Sequence, residues 1–267
     1  MLRRNFLRAA CAGLALSYLP ASRAAVASSG VITLAAAINK AGRQRMLSQR
    51  MAKAWLMLEM DVLPERARSI LKQSMSLFEA QLVELGSLTP SDDVKRSLAQ
   101  LGVEWGTYKT ILLTAPSVDG AKRLFDVNEK VLALAHGLTQ GYEKLASTPA
   151  GRLVNLAGRQ RMLSQRMAKF YLFRQAGVNV AADQTELINA RREFTAAHGV
   201  LLAAPQSTGP IRTELDLVGQ QWMFFQSALD ALDAADQQRS SAAVATTSER
   251  ILEQMENAVG LYERLAG

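Results

Sequence analysis

The sequence predicts an all-α protein: two tandem antiparallel up-down four-helix bundles related by internal duplication. Three observations point there. Glycine and proline are sparse, at 17 and 7 among 267 residues, and Ala, Leu, Gln, Glu and Arg fill long uninterrupted segments, a composition that favours helix over strand. The stretch AGRQRMLSQRMAK occurs at residues 41 to 53 and recurs letter for letter at 157 to 169. Turn-forming residues then divide each copy into four segments of helical length.

The repeat extends well past those thirteen residues. Asn39 matches Asn155 and Phe78 matches Phe194 at the same offset of 116; Trp105 matches Trp222 at 117. Glu129, Tyr142, Leu145 and Ala146 match Glu249, Tyr262, Leu265 and Ala266 at 120. A slowly growing offset is what small loop insertions between retained helices produce.

In the first copy, helices are expected over 31–61, 64–86, 91–114 and 118–146. Pro64 suits a first helical turn, Thr89-Pro90-Ser91-Asp92 supplies a stop and an N-cap, and Pro116-Ser117 makes the next break. The second copy should use 150–176, 181–204, 209–235 and 239–265, punctuated by Gly177, Pro205 and Gly209-Pro210. Short loops make consecutive helices antiparallel neighbours. Thr148-Pro149 joins the copies with almost no linker, so the two units are expected to hold a fixed relation.

Ahead of the repeat, Arg3-Arg4-Asn5-Phe6-Leu7-Arg8 forms a twin-arginine pattern, followed by a short apolar run and small residues suited to cleavage near Ala24 or Ala27. An ordinary basic-apolar export signal is the alternative, and both readings place the mature protein outside the cytoplasm, in the periplasm. The expected divisions are an export signal over 1–27 and four-helix units over 28–148 and 149–267. Cys11, the only cysteine, lies inside the signal, so the mature chain would hold no thiol and no disulfide. No later run approaches the length of a membrane span, which predicts no membrane insertion after cleavage. The formal charge of +7 falls to +3 once the four arginines of the signal are set aside, leaving 27 basic and 24 acidic residues. So mild a charge gives no support to nucleic-acid binding.

On a helical wheel, Leu34, Ile38, Ala41, Arg45, Gln49, Ala52 and Leu56 fall in one stripe with the i, i+4, i+7 spacing of a buried seam. Ala150, Val154, Ala157, Arg161, Gln165, Ala168 and Leu172 repeat it. Each copy therefore sets an arginine in an apolar stripe, where an unpaired cation costs several kcal/mol. Its partner is either an internal carboxylate, such as Glu59, Glu79 or Glu104, or a bound oxyanion that matches the planar donor fork. Gly42 and Gly158 sit one turn before these arginines despite a cost of roughly 1 kcal/mol for a mid-helix glycine, leaving room for a close helix approach or a small ligand. Arg43 and Arg50 lie on another side of the helix and are expected to form a solvated polar stripe.

At Asn-Lys-Ala-Gly-Arg-Gln-Arg-Met-Leu-Ser-Gln-Arg, residues 39 to 50, the sequence resembles the PilJ-type and NarX-type periplasmic sensor domains. These are the input modules of type IV pilus chemotaxis transducers and of nitrate/nitrite sensor kinases, and their fold is an antiparallel four-helix bundle. In the nitrate-sensing members, two bundles pair through their first helices, and the arginine before the methionine contacts nitrate on the twofold axis. Carried over by motif position, the resemblance implies Arg45 and Arg161 as anion ligands, with Gly42 and Gly158 lining the site. Asn39, Met46, Gln49, Asn155, Met162 and Gln165 would be secondary or structural. Two units in one chain imply an intramolecular pseudo-dimer, with pairing to a second copy as the alternative.

Catalysis has little support in the sequence. His136 and His198 fall at non-equivalent positions of the two copies, and no metal-ligand spacing, phosphate loop or serine elbow is present. No cofactor is expected. Two readings remain: a periplasmic receptor for a small oxyanion, nitrate or nitrite foremost, and a structural or interaction module of the cell envelope or of a chemotaxis or pilus system. In either, an envelope sensor, a transporter or another protein would be the partner.

Overall fold

The computed structural model describes residues 32–178, 180–230 and 236–267. The expected export signal lies outside the described residues, as does the expected reach of the seventh helix over 231–235. Among the described residues there are eight α-helices and no strand. They are α1 (Leu34–Glu59), α2 (Pro64–Gly86), α3 (Asp92–Leu112), α4 (Val118–Ala146), α5 (Pro149–Gln175), α6 (Val180–Ala203), α7 (Gly209–Asp230) and α8 (Gln237–Ala266).

Side-chain caps set most of the starts. Thr33, Ser91, Ser117, Thr148 and Asp236 each accept a hydrogen bond from the backbone N–H three residues on, and Pro64 and Pro149 occupy first-turn positions where no N–H is needed. The end of α1 falls two residues earlier than expected because Asp61 and Leu63 adopt left-handed conformations, with φ of 54° and 47°. Gly177, at the position matching Asp61, makes the same turn after α5 with φ of 72°.

The duplication is visible in the core. Phe78 stacks on Trp105 and Phe194 on Trp222, each pair with ring centroids 4.3 Å apart. Within each copy the first helix packs on the second and fourth, and the third packs on the fourth. The most extensive helix pairing, however, joins the copies: α1 lies along α5. The described residues thus form one compact unit, in which the first helices of the two copies pack on one another as expected.

Because α2, α4, α5 and α8 all touch α1, it is buried on nearly every face. This overturns the expected solvated stripe. Arg43 and Arg50 are largely covered and ion-paired to Glu256 and Glu249 of α8, in the other copy. Close packing also appears at Gly120 in α4, where a Cβ would stand 2.8 Å from Cη2 of the buried Trp55. At the far end of the chain Gly267, just past α8, comes beside Thr33, the cap of α1; a Cβ there would stand 3.8 Å from the threonine hydroxyl.

Candidate functional site

Arg45 on α1 and Arg161 on α5 are both fully buried and reach across the helix pair to the opposite copy. Arg45 Nη2 donates to Asn155 Oδ1 at 2.6 Å, and Arg161 Nη2 donates to Asn39 Oδ1 at 2.8 Å. The asparagines are oriented in turn: the Asn155 amide donates to Glu143 and the Asn39 amide to Glu263. The Nε of each arginine is buried with no partner. A buried donor left unsatisfied costs about 1–3 kcal/mol, so both groups retain unused binding capacity.

The glycines explain how the guanidinium groups fit. A Cβ at Gly42 would stand 3.1 Å from Arg45 Nη2, and one at Gly158 would stand 3.2 Å from Arg161 Nη2 and 3.7 Å from Arg45 Nη2. The space each glycine opens is filled by the arginine of the next turn, and the two cations converge beside Gly158.

The counter-charges break this symmetry. Arg161 Nη1 donates to Glu256 Oε2 at 2.7 Å, and Arg43 grips the same carboxylate through Nη2 at 2.6 Å and Nε at 3.1 Å. Burial alone would raise the Glu256 pKa, but the two arginines outweigh it and hold the group at about 2. At the offset of 120, the matching residue of the first copy is His136. Its Nδ1 lies 3.2 Å from Arg45 Nη1, and because arginine only donates, Nδ1 accepts and the ring proton sits on Nε2. Burial, then the charges of Arg45 and Arg159, push the His136 pKa down to about 4, so the ring is neutral at pH 7. Burial, then Arg159 and Arg161, also lower the Arg45 pKa to about 9; it stays a cation, poorly compensated.

Of the carboxylates expected to pair with these arginines, Glu79 is taken by Lys109 of α3, and Glu256 serves Arg161 instead. Arg45 has Asn155 and His136 as its partners among the described residues. Nothing in a single-copy reading marked His136 or Glu256; the signal was their mismatch at equivalent positions of otherwise matching helices.

Gln49 and Gln165 belong to a second polar layer one turn further along. Gln49 donates to Asn128 of α4, and Gln165 accepts from Lys53 at 2.7 Å across the helix pair. Lys53 also reaches Glu249, and its counterpart Lys169 reaches Glu129, so each buried lysine is neutralised by the other copy. Met46 and Met162 are packing residues with 2% exposure each.

Between α4, α5 and α6 a cleft of about 270 Å³ opens onto Arg45, His136 and Arg159. Leu132, Ala133, Met162, Leu163 and Ala190 give it an apolar wall. Arg161 is not among its lining residues. Among the described residues no cluster of His, Cys, Asp or Glu is arranged to hold a metal ion, and no helix is long and apolar enough to cross a membrane.

The described residues thus form a duplicated four-helix unit, paired through its first helices around buried arginines. The chain belongs to the PilJ family, described as the type IV pili methyl-accepting chemotaxis transducer N-terminal domain, whose model matches residues 32–124 and 146–251, one match in each copy. No curated protein and no solved structure shows a significant match to the chain.

Proposed function

We propose that the protein is an exported, periplasmic sensor module without catalytic activity that binds a small oxyanion, nitrate or nitrite foremost, at the arginines of its paired first helices. The observation that supports this most is Arg45: a fully buried guanidinium whose partners are an amide oxygen and a neutral imidazole, with its Nε unpaired. Two cations about 4 Å apart repel by about 4 kcal/mol at an effective dielectric near 20, and an anion beside them converts that repulsion into charge-assisted bonds. Arg45, Arg161, Gly42 and Gly158 would form the site, and Asn39 and Asn155 would orient the arginines. Binding would tighten α1 against α5 and alter the surface offered to an envelope partner.

A second reading, a module without a small-molecule ligand, draws on the internal ion pair between Arg161 and Glu256. Thermal melting against nitrate, nitrite, sulfate, phosphate and chloride separates the two. An anion present at 100 times its dissociation constant should stabilise the protein by about 2.7 kcal/mol. Arg45→Met, which removes the charge and keeps the length, should abolish that shift without unfolding the protein. A panel in which no anion raises the melting temperature, or a nitrate shift that survives Arg45→Met with Arg161→Met, would sink the receptor reading.

A further inference from the structure

The two copies differ at one point of charge. In the second, the Glu256 carboxylate sits between Arg161 and Arg43. In the first, the equivalent arginines are Arg45 and Arg159, and His136 stands where the carboxylate would be. Arg159 has turned to Glu193 of α6, a residue whose counterpart in the first copy is Leu77. Arg166, also in the cleft, is held by Glu129 and Glu186. Arg45 is thus the one basic group lining the cleft without a carboxylate among the described residues, and the neutral, half-buried His136 ring covers its Nη1.

We propose that the cleft between α4, α5 and α6 binds a small organic acid whose carboxylate displaces the neutral His136 ring and takes the place at Arg45 that the Glu256 carboxylate holds at Arg161. This rests on the anion-binding reading above and narrows it, from an oxyanion on the pseudo-twofold axis to a carboxylate off the axis, one per chain. Glu256 supplies the template, because it shows how the same guanidinium, on the same helix position, receives a carboxylate at 2.7 Å. Leu132 and Ala133, the more exposed apolar residues of the cleft, favour an acid that carries carbon: a short carbon chain covers them, whereas nitrate does not. The volume of about 270 Å³ leaves ample room for a small carboxylic acid. The other half cannot bind in the same way, since Glu256 already occupies its position.

Isothermal titration of the purified protein with nitrate, acetate, propionate, butyrate and pyruvate tests this, with His136→Glu as the decisive variant. That substitution reproduces the Glu256 arrangement in the first copy. It should raise the melting temperature and lower organic-acid affinity by about tenfold or more, whereas Arg68→Gln, on the exposed face of α2 and outside the cleft, should keep the affinity of the unmodified protein. One organic-acid molecule should bind per chain. Unchanged organic-acid affinity in His136→Glu overturns the proposal, and so does nitrate binding without any organic-acid binding, which leaves the broader anion reading standing. Failure of every anion, inorganic and organic, removes both.

Discussion

Single residues decide how this protein responds to acid. Glu249 is mostly buried, which by itself would raise its pKa, yet Lys53 and Arg50 outweigh the burial and bring it to about 2, as Arg161 and Arg43 do for Glu256. A carboxylate depressed in the folded state contributes stability in full above its unfolded pKa, near 4.5, and loses it as pH falls through about 2. Glu249→Gln should therefore cost roughly 3 kcal/mol at pH 7, with the gap to the unmodified protein closing between pH 4.5 and 2 in urea denaturation. A gap that stays constant across that window would show the ion pairs to be inert. At this scale the sequence was half legible. Arg45 and Arg161 stood out as cations inside an apolar stripe, but the partners of Arg43 and Arg50 lie about two hundred residues away on α8, where a one-helix wheel cannot reach. His136 was read only as a histidine without a matching partner, and Glu256 opposite it was not singled out, because repeats are found by identical letters, and here the difference carried the information.

At the scale of helices the reading was nearly complete, since caps, prolines and turn residues act locally. The missing part was the closeness of helix packing, which depends on contacts across the bundle. Gly120 and Gly102 both lie inside helices and look alike in sequence. A Cβ at Gly120 meets Trp55 at 2.8 Å, whereas one at Gly102 meets nothing within 4 Å. Gly120→Ala should destabilise the protein by about 1–3 kcal/mol, as overpacking does, even though alanine is the better helix former. Gly102→Ala should stabilise it by up to about 1 kcal/mol. Melting temperatures of the two variants should move in opposite directions; a fall in both would mean that backbone freedom, not crowding, governs these positions.

Across the whole molecule, the polar layers of α1 and α5 are stitched from one copy to the other. Lys53 bonds Gln165, Ser248 and Glu249, and Lys169 bonds Asn128 and Glu129. Neither copy satisfies its own buried lysine, so separating them would strand two charges, each costing several kcal/mol. The protein should unfold in one transition, with equal calorimetric and van 't Hoff enthalpies, despite its two repeats. Two resolved transitions would refute this. The duplication itself was plain from the sequence and predicted a fixed pairing; that the copies depend on one another chemically was not, because the dependence lies in hydrogen bonds between residues on different helices that lie 40 to 196 positions apart.

The meeting of Gly267 with Thr33 has a topological consequence. The close of α4 runs through Ser147 and Thr148 straight into α5, and the close of α8 returns to the opening of α1. Within the helical body the eight helices therefore follow a cyclic order, like beads on a closed necklace, and neither copy is first by geometry. Were the two copies chemically alike, rotating the order by four helices would give back the same object. A histidine in one and a glutamate in the other give the necklace a front and a back.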